Sequence, residues 1–112
     1  MSTYYQSATQ ELIIKSIEEV TQLPKSKWMP NSIQSDQAIL LRTIYIHMLY
    51  HKAKWRIINI QHEIGLNSNP TVLQAMRSLS FWEQEWDPYE YEMVLYYKIE
   101  SALQIRIEQM NG

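Results

Sequence analysis

Ile57-Ile-Asn-Ile-Gln-His-Glu-Ile-Gly-Leu-Asn-Ser-Asn-Pro-Thr-Val-Leu-Gln-Ala-Met-Arg-Ser-Leu79 decides how the chain folds. Ile57, Ile60 and Ile64 fall at i, i+3, i+7, the spacing of one apolar stripe on a helix. Gly65 follows the last of them, where a helix C-cap takes up backbone angles open mainly to glycine. Asn67-Ser68-Asn69 is turn chemistry and offers N-caps for a second helix. Pro70 sits just inside that helix, where its fixed φ helps and its missing N–H is not needed. Val72, Ala75, Met76 and Leu79, at i, i+3, i+4, i+7, face a core. At about 100° per residue, Thr71, Gln74, Arg77 and Ser78 take the opposite face. That face holds compact donors and acceptors, one arginine and no carboxylate. A helix-turn-helix needs this of its second helix if it is to enter the DNA major groove, because acidic side chains would meet phosphates there. The same two-helix pattern also occurs in all-helical domains that bind no DNA, so the rest of the chain has to decide between them.

Directly upstream, His51-Lys-Ala-Lys-Trp-Arg56 is the densest basic cluster in the chain. Lys52, Lys54 and Arg56 can hold phosphates beside the groove while Trp55 packs inward. Cations at the C-terminal end of a helix also suit its dipole. Asp36 to Ala53 reads as that helix, with Ser35 as N-cap. Ala38, Leu41, Tyr45, Met48 and Leu49 form its stripe, and Ile39, Leu40, Ile44 and Ile46 make it apolar on further sides, as befits the most buried helix. His47 and His51 stand at i, i+4, but no carboxylate accompanies them in a metal-ligand arrangement, so no metal site is expected. Leu23 to Ser35 holds two prolines and reads as a connection. Trp28 and Met29 are expected to pin it to the core, leaving Lys25 and Lys27 outward, either as further phosphate holders or as ordinary surface lysines. Ala8 to Gln22 reads as the first helix, with Ser7 and Gln10 as a capping box. Its stripe is Ile13, Ile17 and Val20, widened by Leu12 and Ile14, with Ser16 interrupting one flank.

Downstream, the second helix of the motif runs on through Trp86 until Asp87-Pro88 stops it. The last helix is expected from about Pro88 to Met110, with Tyr91, Val94, Leu95, Ile99, Ala102, Leu103, Arg106 and Met110 at roughly helical spacing. Tyr89, Tyr91, Tyr96 and Tyr97 make it aromatic on more than one side. It either caps the core or offers an interface to a second copy or a protein partner.

A chain of 112 residues suits one domain with one hydrophobic core. With 2 Gly and 4 Pro, the composition favours a compact helical protein over a sandwich or a disordered chain. The expected architecture is therefore a single all-α domain, 1–112, of about five helices, with the helix-turn-helix at about 56–80. Cys is absent, which removes disulfides and thiolate metal sites and fits a reducing, cytoplasmic interior. The opening residues lack the basic and apolar regions of a secretory signal, and no apolar run is long enough to cross a membrane. His47, His51 and His62 have no nucleophile or carboxylate arranged around them for catalysis. The reading therefore expects no enzyme, no catalytic residue and no cofactor.

The net charge of −2 hides a segregation. Between Gln22 and Trp82, the cations Lys25, Lys27, Arg42, Lys52, Lys54, Arg56 and Arg77 face only Asp36 and Glu63. Acidic residues dominate on both sides. A positive centre between acidic flanks is the pattern of a local phosphate-facing patch.

The stretch from Ile57 to Leu79 resembles the C-terminal DNA-binding domain of the bacterial replication initiator DnaA, in the Trp-repressor-like helix-turn-helix group. The family's motif matches without a gap: Ile57 and Ile60 at its apolar pair, Ile64-Gly65 at Phe-Gly, Thr71-Val72 at Thr-Val. Ala75 stands at its Ala, Arg77 at its basic residue and Leu79 at its last apolar position. The preceding helix, basic loop and long helix follow the family's order, so the resemblance covers about Glu11 to Ser80. Asn69 stands where the family has a base-contacting His, Pro70 replaces a Thr, Asn67 a basic turn residue and Gln61 a Gly. Asp36 and Gln37 stand where the family carries a minor-groove arginine. The resemblance implies binding to duplex DNA, in replication or transcription control, at a target other than the initiator's own box. In that reading Asn69, Thr71, Gln74 and Arg77 meet base edges, and Lys25, Lys27, Lys52, Lys54 and Arg56 hold phosphates. About four phosphate contacts would give a slope of log affinity against log salt near −3.5. The alternative is an interaction or dimerisation domain that keeps the fold and has lost DNA binding.

Overall fold

In the computed structural model the apolar stripes become five helices: α1 (Thr3–Thr21), α2 (Asp36–His51), α3 (Ile57–Ile64), α4 (Asn69–Gln84) and α5 (Glu90–Asn111). Short 3-10 turns lie at Lys25–Lys27 and Asp87–Tyr89. The structure describes residues 3–30, 32–65, 69–85 and 87–111, with side chains for all of these except 3–7, 69–71 and 111. No strand occurs among the described residues, and the fold class is all-α as the periodicity requires.

α2 sits at the centre. It packs against α1, α3 and α4, while α1 and α5 pair with each other and α5 returns to α4. Ile13 and Ile17 of α1, Leu41, Tyr45 and Met48 of α2, Ile60 of α3, Val72 of α4 and Met93 and Ile99 of α5 are all shut away from solvent in one continuous core. The radius of gyration, 13.5 Å, is close to the ~13 Å of a compact chain of this length. Trp28 does pin the connection, being fully buried and meeting the Tyr45 ring edge-on at 5.2 Å.

Two cap assignments carry over into the structure. The Ser35 side chain accepts from the Ala38 N–H at 3.2 Å, satisfying a donor that the first turn of α2 leaves open. Gly65 ends α3 with φ 129° and ψ 173°, its N–H reaching the Gln61 carbonyl at 2.9 Å; a Cβ would be strained there.

Several boundaries differ. α1 begins at Thr3, not Ala8, because nothing in Thr3-Tyr-Tyr-Gln6 breaks a helix. Ser7 therefore lies inside α1, and its side chain is outside the described residues. α2 ends at His51 instead of Ala53. Lys54 turns to φ 62°, and the Trp55 N–H reaches back to the Leu49 carbonyl at 2.9 Å. α4 stops at Gln84 and α5 starts at Glu90, with Asp87-Pro88-Tyr89 as a 3-10 turn between them. On α5 the core face is Met93, Tyr96, Ile99 and Leu103, whereas Tyr91, Val94 and Met110, expected inside, are exposed. Val94 lies half a turn from the centre of that face. Ser16 is no interruption: it is buried, and its hydroxyl donates to the Leu12 carbonyl at 2.7 Å, so the helix itself satisfies it. Among the described residues, no helix is long and apolar enough to cross a membrane.

Candidate nucleic-acid interface

α3 and α4 pack against each other, with α2 behind both. Ile60 and Ile64 of α3, with Val72, Ala75, Leu79 and Trp82 of α4, turn inward. The spacing 72, 75, 79, 82 leaves Leu73, Gln74, Arg77, Ser80 and Phe81 exposed. Among the described residues Arg77 makes no ion pair. The side chains of Asn69 and Thr71, and the joining residues 66–68, lie outside the described residues, so half of the expected base-reading row has no structural account. Ser78, expected on the outward face, is half-buried instead, and its hydroxyl donates to the Gln74 carbonyl at 2.9 Å. One helical turn from Gln74, it has rotated toward α2.

The expected cations divide. Lys27, Lys54 and Arg56 are exposed. Arg56 is the extended N-cap residue of α3 and its side chain makes no capping bond, so a guanidinium stands beside the positive end of that helix, an arrangement that favours an anion. Lys25 does not point free. Its Nζ donates to Glu63 Oε2 at 2.7 Å and lies 5.7 Å from the Tyr45 ring centroid. Lys52 pairs with Glu100 of α5 at 2.7 Å. Arg42, counted in the positive centre, is buried. Its Nη1 donates to the carbonyls of Trp28, Pro30 and Ile33 at 3.0, 2.9 and 2.8 Å, so this charge holds the connection down and is not presented to a ligand.

Glu63 organises the site, and the sequence pattern missed it. One oxygen, Oε2, accepts from Lys25 Nζ, from Tyr45 Oη at 2.6 Å and from Gln10 Nε2 at 2.9 Å. Gln10 also donates to Tyr45 Oη at 2.9 Å. The cluster joins α1, α2, α3 and the connection. Burial, then the hydrogen bond to Glu63, pushes the Tyr45 hydroxyl well above the usual phenol range, so it stays a donor. The available signal was position: Glu63 adjoins Ile64 and stands three residues past Ile60, at the edge of the core stripe, and with Asp36 it is one of two acids in the positive stretch.

The two α2 histidines stack with ring centroids 4.2 Å apart. The Tyr96 ring meets His47 edge-on at 5.6 Å, its hydroxyl 3.4 Å from Nδ1. Burial first, then the charges of His51 and Lys52, bring His47 down to about 4. Burial also lowers His51, with Lys54 and Lys52 adding to the effect. Neither ring adds a cation to the basic segment near neutral pH. Among the described residues, no three His, Asp or Glu side chains are grouped to hold a metal ion. Beside α4, on the side of Gln74 and Ser78, a trough of about 660 Å³ runs between α2 and the start of α5.

Comparison of the chain with known family models, with curated proteins and with solved structures finds no match.

Proposed function

We propose that the protein binds duplex DNA through α3 and α4, in the manner its sequence resemblance to the DnaA C-terminal domain implies. The observation that carries this reading is the exposed row of α4, where Gln74 and Arg77 stand in solvent and no carboxylate joins them. A helix of that kind fits the major groove. Gln74 would bond adenine in bidentate fashion and Arg77 guanine, with Asn69 and Thr71 at the leading end. Lys27, Lys54 and Arg56 would hold phosphates. Lys25 and Lys52 would contribute only by exchanging Glu63 and Glu100 for phosphate. The reading sets the protein in a bacterial cytoplasm, as a regulator of replication or transcription.

The test is selection from a random duplex library, followed by salt titration on the enriched sequence. With Lys27, Lys54 and Arg56 on phosphate, the slope of log affinity against log salt is expected near −2.7 (about −0.9 for each). Arg77→Ala should reduce discrimination between sequences, and Arg56→Ala should weaken all duplexes alike. No enriched sequence together with a slope near zero would refute the reading.

A second reading is favoured by a different surface. Val94, Tyr97 and Ile105 form an exposed apolar row along α5, as an interface between copies would require. Sedimentation at two concentrations decides: a dimer that Tyr97→Glu dissolves, with no duplex bound, supports it.

A further inference from the structure

We infer that the trough between α2, α4 and the start of α5 docks a basic amphipathic helix of another protein. This inference does not depend on DNA binding. The trough is about 660 Å³ and is lined by the buried Trp82 and Ala75 together with Ile39, Leu40 and Tyr91. Ile39 is 43% exposed and Tyr91 65% exposed, a large apolar surface to leave around a concavity. Among the described residues, its ionised lining groups are Asp36 and Glu92. Among the described residues, neither carboxylate is paired with a cation.

Each of these observations narrows the occupant. Unpaired carboxylates in an apolar lining call for lysines or arginines flanking apolar anchors. They also repel phosphate, so a nucleic-acid backbone does not lie in the trough beside them, whatever Gln74 does at its edge. No strand edge exists among the described residues, so an extended peptide has no backbone to pair with. A groove between helices takes a helix, with anchors at i, i+3 or i+4, and i+7. None of the described helices is basic: α1 and α5 carry more carboxylates than cations, α2 buries Arg42, α3 has no Lys or Arg, and α4 sets Glu83 against Arg77. A basic helix of another protein fits the trough instead.

A displayed library tests this. Its peptides, about 14 residues long and so about 21 Å as a helix, carry fixed leucines at helical spacing and Lys or Glu at every remaining position. Selection on the wild-type protein should enrich Lys. Ser78→Arg, which fills the trough, should weaken the enriched peptides about tenfold or more. The double variant Asp36→Lys, Glu92→Lys lies on exposed or half-exposed positions and leaves the core intact. It should reverse the preference toward Glu. The inference is overturned by equal enrichment of both charges, by no enrichment, or by binding that survives both variants. A wild-type dimer that Ser78→Arg dissolves would assign the trough to a second copy and overturn it too.

Discussion

Removing the Glu63 carboxylate should loosen the fold far more than removing the lysine paired with it. Glu63 Oε2 accepts from Tyr45, Lys25 and Gln10 at 2.6, 2.7 and 2.9 Å. These three bonds differ in worth because their donors differ in burial. Tyr45 is wholly inaccessible, so in Glu63→Ala its hydroxyl proton has nowhere to go, which costs about 1–3 kcal/mol. The Gln10 amide keeps Tyr45 Oη as an acceptor and loses about 0.5–1 kcal/mol. The Lys25 and Glu63 side chains are 35% and 20% exposed, so solvent screening reduces the ion pair to about 0.5 kcal/mol. Glu63→Ala should therefore cost about 2–4 kcal/mol, a large part of the ~5–15 kcal/mol that holds a domain together. Tyr45→Phe, which removes the buried proton along with its bond, should cost about 1 kcal/mol, and Lys25→Ala about 0.5 kcal/mol. Urea unfolding with an unchanged m-value reads all three. If Lys25→Ala costs as much as Glu63→Ala, the cluster is a surface ion pair and this account of it is wrong. Releasing Lys25 has a second consequence. On duplex DNA, Glu63→Ala should steepen the salt slope by up to about 0.9, one further phosphate contact.

Arg42→Met should destabilise by about 3 kcal/mol or more, because three carbonyls of the connection lose their shared donor; limited proteolysis should then cut between Leu23 and Ser35. The His47 ring is held neutral, with its titration brought down from 6.5 to about 4. The unfolded chain binds that proton first, so this contribution is present above pH 6.5 and is lost as pH falls toward 4, to a total of about 3 kcal/mol. Denaturant midpoints measured from pH 7.5 to 4.5 should fall across that window in the wild type and much less in His47→Phe. Equal slopes would remove His47 from the acid response.

The fold was legible where the residues form stripes. Ile60-Ile64, Val72-Ala75-Leu79 and Ala38-Leu41-Tyr45 all turned inward, because burial follows helical period whatever lies next to the helix. Gly65 and Ser35 were legible because each answers a local backbone need. The charges were not. Arg42, Lys25 and Lys52 look identical to Lys27 and Arg56 in sequence. What separates them is tertiary: three carbonyls of the folded connection, Glu63 on α3, and Glu100 some 48 positions further along the chain than Lys52. A positive stretch in sequence is thus an upper bound on a positive surface, since any cation within reach of a carboxylate gained on folding is withdrawn from the patch. The α5 face was misplaced for a related reason. Tyr91, Met93, Leu95, Tyr97 and Ile99 alternate along its first half, with Val94 and Tyr96 between them, so the stripe has no edge until α1 and α4 choose one.

Gln74 belongs to both proposed surfaces, standing at the boundary between the exposed row of α4 and the trough. A duplex that bonds its amide and a peptide that covers it cannot both be seated in full. Binding free energies are reciprocal, so the peptide must weaken the duplex by the same factor as the duplex weakens the peptide. Arg77 lies on the outward row and does not line the trough, so Gln74→Ala should relieve the antagonism while Arg77→Ala leaves it in place. Simultaneous binding of enriched duplex and enriched peptide at undiminished affinity would mean that α4 serves only one of the two, and the salt slope then identifies which.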